Sequence, residues 1–235
     1  TRLIEAGSTA PLEILLSDDC SPDGTFAVMQ AMAAAYDGPH RIVLNRNDTN
    51  LGIARHAEKI MALATGDFIV ESAGDDISLP HRTETLAAAW LASGRRTMYV
   101  HSEKQDVDAE GRLLPLVPRS DLLADVTPRQ IATHKYGLIG AWDRRLVDDF
   151  APIHEVAAFH DYPLAFRAAL CGTVAFVPEP LVHYGTAGVS RHKRQGYGHW
   201  YFHGDRIRYL RWDREFHRSY RRDLDRVPVA DAAEQ

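Results

Sequence analysis

Short apolar runs and stretches of helical spacing alternate along the first hundred residues, and each change of pattern marks a new element. Leu12-Glu13-Ile14-Leu15-Leu16-Ser17 is a short apolar run of strand character, followed by the turn-rich stretch Asp18 to Gly24. From Gly24 onward Phe26, Met29, Met32 and Ala33 recur at helical spacing, which predicts a helix. A second strand is expected from Arg41 to Leu44, then the polar loop Asn45 to Asn50, then a helix over about 52–64 closed by Gly66. Phe68 to Ser72 reads as a strand. Leu79-Pro80 opens a helix running through Trp90 and Leu91, with proline in the first turn, where its missing N–H is harmless.

Strand and helix in alternation predict an α/β fold with a mostly parallel central sheet and helices on both faces. The second half is less regular. Thr97 to His101 reads as a strand, Asp108 to Arg112 as a hairpin turn, and Thr127-Pro128 as the start of a short helix. A helix over about 158–171 is followed by two extended pieces, Thr173 to Val177 and Leu181 to Tyr184. Before Leu12 there is only a helix remnant, Thr1 to Ala6, and a Gly7 to Pro11 connection. The first strand of a doubly wound sheet is therefore expected to be missing from the sequence.

Composition narrows the class. With 45% hydrophobic and 25% charged residues in 235, the chain is globular, which excludes disordered and fibrous classes. Two cysteines, Cys20 and Cys171, give no disulfide framework and no zinc cluster, so a reducing compartment is the expectation. No run of about 18 apolar residues and no secretory leader is present, and a cytoplasmic, non-spanning protein is expected. The net charge of −5 is uneven: residues 191–226 carry +6, which leaves −11 for the remainder.

Candidate chemistry lies at the ends of the strands. Asp18-Asp19 follows the first apolar run and Asp75-Asp76 follows the third. In open α/β sheets ligands bind outside the carboxyl ends of the strands. Carboxylates there suit a hard divalent cation and a polyhydroxylated or phosphorylated ligand. The plainer readings are a turn in which Asp23 or Ser21 caps the next helix, and an acidic pair favoured by a helix dipole. His160-Asp161, read alone, is a capping pair at the head of a helix.

The ordered set Glu13-Ile14-Leu15-Leu16-Ser17-Asp18-Asp19-Cys20-Ser21-Pro22-Asp23-Gly24-Thr25, Asn50-Leu51-Gly52, Ala64-Thr65-Gly66-Asp67-Phe68-Ile69, Ala73-Gly74-Asp75-Asp76-Ile77 and Leu79-Pro80 with Arg82 resembles the family 2 glycosyltransferases of the GT-A fold. The likeness is dense over 12–91 and thinner to about 190. It implies a GT-A, Rossmann-like domain over 1–190, with a nucleotide-binding half at 12–91 and an acceptor-binding half at 92–190. A basic, aromatic helical extension at 191–235 follows. It also implies an inverting transfer of sugar from a nucleotide-sugar donor to a hydroxyl of a glycan or lipid-linked glycan, in cell-surface polysaccharide synthesis, with Mg²⁺ or Mn²⁺ as cofactor.

Carried over by position, the resemblance assigns Asp18 to reading the base of the donor, with Asp19 beside it. Asp75 matches the last acid of the family's Asp-x-Asp metal motif, with Asp76 next to it, and Ala73 stands where the first acid is usual. Glu71 shares the strand face of Ala73 and Asp75 by the period of two, and is either a substitute ligand or a buried structural residue. Asp161 matches the base that activates the acceptor hydroxyl, and His160 replaces the usual Glu before it. Arg55 and His56, just beyond Gly52, either reach the donor or are exposed helix residues. Arg55 is taken as the donor-binding candidate. His183 and Arg191 or His192 are candidate phosphate contacts.

In the tail, Tyr209, Trp212, Phe216 and Tyr220 form one helical stripe among arginines. Either the stripe packs on the domain, or it forms an interfacial helix at the inner face of a membrane, attracted to anionic lipid and a lipid-linked acceptor. Nucleic acid is not expected as a partner, because the acidic body repels it. Two other functions fit parts of the pattern. Ala73 suits a degenerate sugar-nucleotide-binding module without turnover. An acidic pair after a strand also suits a phospho-signalling receiver, but no suitable Lys follows a clear strand here.

Overall fold

The computed structural model describes residues 11–118, 126–134, 140–153, 160–185 and 214–226. The helix remnant expected over Thr1 to Ala6 lies outside them. Strands β1 (Glu13–Asp18) and β2 (Arg41–Arg46) pair in parallel, from Glu13 opposite Arg41 to Asp18 opposite Arg46. Helix α1 (Thr25–Ala34) makes the crossover between them. Phe26, Met29, Met32 and Ala33 are half-buried, as is Thr25 at the helix start, whereas Ala27, Val28, Gln30 and Ala31 are exposed, so the helical period selects the inner face.

Helix α2 (Ile53–Leu63) precedes β3 (Phe68–Val70), β4 (Ile77–Ser78) and α3 (Arg82–Ala92). Three boundaries differ from expectation. Gly66 does not cap α2, because the helix already ends at Ala64 in an extended conformation. Strand β3 stops at Val70 rather than Ser72, so the period of two does not extend to Glu71, Ala73 and Asp75. Pro80 lies two residues before α3, in the turn leading into it.

The remaining strands are β5 (Thr97–Val107), β6 (Gly140–Asp143) and β7 (Thr173–Gly185). They join β3 and β4 in a five-stranded sheet of order β3-β6-β5-β7-β4. The α/β class holds, but the pairing here is mixed: only β5 and β7 run parallel, and the other three pairs are antiparallel. Parallel neighbours need a crossover helix between them. Helix α6 (Asp161–Cys171) supplies one ahead of β7, whereas β4 and β6 have none that would set them parallel to their neighbours. The two extended pieces expected after α6 form one strand. Its register against β5 slips between Ser102 and Lys104, opposite Pro178 and Pro180, which cannot donate to the ladder. The hairpin turn at 108–112 is present, its carbonyl and amide bonds closed by Asp108.

Alternation across the sheet divides the core in two. Tyr99 and Trp142 face α6, where Leu164, Ala165, Ala168 and Ala169 are buried. Their neighbours Val100 and Ala141 face α3, against Leu86 and Trp90. Helices α4 (Pro128–His134) and α5 (Arg145–Asp148) flank α6. A last helix, α7, spans 214–224 and lies against α6. Phe166 stacks on Tyr220 with ring centroids 4.1 Å apart, and Tyr162 meets Phe216 edge-on at 5.2 Å. The described part of the tail thus uses its aromatics for packing, with Arg214, Arg218 and Arg221 exposed. Tyr209 and Trp212 lie outside the described residues. No described helix is long and apolar enough to cross a membrane.

Candidate active site

The carboxyl ends of β1 and β2 form a polar corner. Asp18 is 3% exposed, accepts the Ser21 N–H at 3.2 Å, and pairs with Arg46 at 3.3 Å. Asp19 accepts from Leu51 N–H at 2.8 Å, Gly52 N–H at 2.9 Å and the Asn47 amide at 2.7 Å. Burial works against its charge. The N–H of Leu51, the Asn47 amide, the N–H of Gly52 and the nearby His56 nevertheless hold its carboxyl below the ordinary range. Asp19 therefore fixes the loop that enters α2, where Gly52 adopts φ +77°. Arg55 is exposed on α2. His56 turns inward instead, with Nε2 at 2.6 Å from Ser17 Oγ. Burial lowers its pKa against the pull of Asp19 and Asp18, so it is neutral at pH 7.

The second acidic pair divides. Asp75 is exposed, and Asp76 is half-buried with Oδ1 accepting the Gly185 N–H at 3.0 Å. Burial raises the Asp76 carboxyl, as does Asp75, and the Gly185 N–H only partly offsets this. No hydrogen bond joins this loop to the Asp18-Asp19 corner among the described residues. A Cβ on Gly185 would clash with the Asp75 carbonyl oxygen. Gly185→Ala is therefore expected to push the acidic loop aside at a cost of about 1–3 kcal/mol. A fall in melting temperature checks this.

The donor set bears on the metal. Ala73 offers no ligand, Asp76 gives Oδ1 to β7 and keeps a buried Oδ2 without a hydrogen-bond partner, and Glu71 is held by His160. Among the described residues no group of three His, Cys, Asp or Glu side chains could hold a metal ion. The exposed Asp75 carboxylate fits the single-carboxylate role of a Mg²⁺ or Mn²⁺ that would arrive with a diphosphate and keep several waters.

At the head of α6, His160 Nε2 lies 2.6 Å from Glu71 Oε1, and Asp161 follows it. His160 is 8% exposed, its ring edge-on to Trp142. Burial pushes the Asp161 carboxyl up to about 6. His160 opposes that rise and Glu71 adds to it. Burial would neutralise His160, but the charge and hydrogen bond of Glu71, with Asp161, raise its pKa instead. Beneath them the buried Arg82 donates from Nη1 to the Glu71 carbonyl at 2.7 Å and to Ser78 Oγ at 3.1 Å. Burial lowers its pKa to about 10, so it stays charged.

Of the residues singled out from sequence, the structure joins His160 to Glu71 with Asp161 next to the pair, ties Asp76 to β7, and leaves Arg55 and Asp75 exposed. His183 lies in β7 opposite Ile77, whereas Arg191 and His192 lie outside the described residues. The pairing of Glu71 with His160 and the burial of Arg82 have no local sequence signal, because they join residues distant in the chain. A cavity of about 820 Å³ lies at the other end of α6, lined in part by Arg95, Arg144, Arg145 and Cys171. Its guanidinium groups are taken up by Asp67, Asp148 and Asp143.

Comparison with known proteins bears on the fold and the family. The inferred glycosyltransferase EpsE of Bacillus subtilis (strain 168) is 37% identical over 120 residues, 49% of this chain and 42% of EpsE. An uncharacterized protein of Mycobacterium bovis is 23% identical over 195 residues, 81% of this chain and 52% of that protein. The chain thus spans about half the length of the curated relatives it matches. Among solved structures, residues 1–349 of TarS from S. aureus in complex with UDP-GlcNAc superpose with a TM-score of 0.60 at 19% identity, covering 83% of this chain and 56% of that one. The UDP complex of TarS gives a TM-score of 0.57. These likenesses show the GT-A fold. Residues 1–120, about half the chain, match the profile of Glycosyl transferase family 2, and the chain belongs to that family.

Proposed function

We propose that this chain is the catalytic domain of an inverting glycosyltransferase that moves a sugar from a nucleotide-sugar donor to a hydroxyl of a glycan or lipid-linked glycan, in cell-surface polysaccharide synthesis. The observation that carries this reading is the carboxyl group of Asp161 at the head of α6, with burial raising it to about 6. An acceptor alcohol is a poor nucleophile, and a carboxylate of that basicity accepts its proton as the new bond forms. The acceptor oxygen bonds to the anomeric carbon while the bond from that carbon to the diphosphate oxygen breaks. The electron pair leaves with the nucleoside diphosphate and the proton stays on Asp161. One displacement with one base inverts the anomeric centre.

On the donor side, Asp18 reads the base, Asp19 holds the loop around it, and Asp75 faces the diphosphate. Lys104, partly buried over the Tyr184 ring, is a nearby cation that offsets charge on the leaving group. Asp75 would hold Mg²⁺ or Mn²⁺, which would supply positive charge to offset that of the diphosphate. With α7's aromatics packed inward, attraction to an anionic membrane surface rests on the exposed Arg214, Arg218 and Arg221.

UDP-GlcNAc, a ligand of the TarS structures, is the first donor to try, and UDP the first nucleotide to test for binding. Calorimetry is expected to show no Mn²⁺ binding by the protein alone and clear binding once UDP is present, because Asp75 is a single exposed ligand. Acceptor-dependent release of UDP from UDP-GlcNAc or another UDP-sugar tests the transfer itself. Binding without turnover over a broad acceptor panel would favour a sugar-nucleotide-binding module instead.

A further inference from the structure

We propose that Glu71 and His160 form a positioning pair for Asp161: Glu71 anchors the imidazole through Nε2–H, and the ring, held as a cation, fixes the charge and orientation of the neighbouring carboxylate. The inference rests on Asp161 being the base. It deepens that reading by assigning work to a residue that departs from the family pattern, since His160 stands where the resemblance expects Glu.

The geometry begins at β3. Its last residue, Val70, pairs with Ala141, and the Glu71 N–H goes on to the Gly140 carbonyl at 3.2 Å, which fixes where the Glu71 side chain starts. The Arg82 guanidinium holds the Glu71 carbonyl from below at 2.7 Å. From this fixed base the Glu71 carboxylate takes His160 Nε2–H at 2.6 Å, a charge-assisted distance. The imidazole is nearly sealed from water, with Trp142 at its edge, so it cannot rotate away without leaving Glu71 unpaired. Asp161 is the next residue, at the first turn of α6, and its carboxylate lies in the field of that ring.

A Glu at position 160 would put two carboxylates against each other across the 2.6 Å contact, and one of them would take up a proton. Histidine turns that repulsion into attraction. The charged or titratable groups facing the trio from the surrounding elements are Arg82 of α3 and Tyr99 of β5. Burial raises the Tyr99 hydroxyl well above its ordinary range, so it remains neutral. His160 is then the one cation in direct sequence with the base, and Glu71 is what keeps it one.

The test compares the pH dependence of kcat/KM for wild type, His160→Gln and the double variant Glu71→Gln/His160→Gln. Wild type is expected to lose activity below about pH 6, where Asp161 protonates. Without the imidazolium the acid limb is expected to move up by about 1–3 pH units, because Glu71 is left facing Asp161. The double variant is expected to return part of the way, since it removes that carboxylate as well. The KM for donor is expected to stay within about twofold of wild type, because the pair does not touch the donor-binding corner. An acid limb in His160→Gln that coincides with wild type, while Asp161→Asn abolishes transfer, would overturn the positioning role and leave the base in place. Full transfer by Asp161→Asn would instead remove the base reading on which the pair depends. Should His160→Gln fold poorly, an NMR titration of the His160 ring in wild type and Glu71→Gln decides. A ring that titrates above the ordinary histidine value in wild type and lower in Glu71→Gln supports the pair, and identical titrations refute it.

Discussion

Asp161→Asn is expected to lower transfer by about 10²–10⁴-fold at pH 7.5, the range typical of a lost general base, while donor binding stays near wild type. Asn keeps the size and hydrogen-bonding reach of the side chain at the head of α6 but cannot accept the acceptor proton. The same change is expected to leave the melting temperature unchanged or higher. Burial raises the folded-state pKa of Asp161 from 3.8 to about 6. Between those values the native state holds a proton that the unfolded state lacks, so this group's contribution to stability falls as pH rises through the window and remains unfavourable at pH 7. Removing the charge removes that penalty. Loss of activity with a preserved or raised melting temperature, measured on one preparation, marks a site strained for function rather than a folding defect. Transfer close to wild type in the variant would eliminate Asp161 from the chemistry.

Much of this architecture can be read from the chain because its signals are local. The apolar runs at 12–17 and 68–72 and the helical spacing of Phe26, Met29, Met32 and Ala33 correspond to β1, β3 and the inner face of α1. Strand β6 was not legible: Gly140-Ala141-Trp142-Asp143 is buried on both faces and shows no alternation. The mixed sheet was illegible for a related reason, since strand direction depends on connections in the irregular second half. At the site, Asp18, Asp75 and Asp161 stand out by their place at element ends. Their partners do not. Glu71 appeared to share a strand face with Asp75, but β3 ends one residue earlier, and its carboxylate turns to His160, 89 positions away. Asp76 turns to Gly185 and Asp19 to the loop before α2, so two of the four acids in the opening pairs hold structure together. Ala73 and His160 each remove an acid from the family pattern, and the structure compensates for the second by pairing it with Glu71.

Asp223→Ala is expected to destabilise the domain by about 3–5 kcal/mol, the cost of leaving a buried charge without its partner. The Arg167 and Asp223 side chains are 1% and 0% exposed and meet at 2.9 Å, with Arg167 also donating to the carbonyls of Leu146 and Ala151. Burial lowers the pKa of Arg167 and raises that of Asp223 despite their attraction, so each ion's desolvation outweighs what the other returns. The pair is therefore a poor source of net stability but a severe liability when halved. Removing Asp223 strands a guanidinium between α6 and α7, where Phe166 and Tyr220 stack. For a chain of this size the melting temperature is expected to fall by about 6–20 °C. Arg167→Met/Asp223→Leu is expected to recover most of that loss, because apolar side chains of similar volume need no partner. A melting temperature for Asp223→Ala within 2 °C of wild type would mean that α7 does not clasp α6 in solution. Recovery in the double variant would show that the clasp depends on filling that space rather than on charge, and that α6, with Asp161 at its head, is braced from its far side by packing.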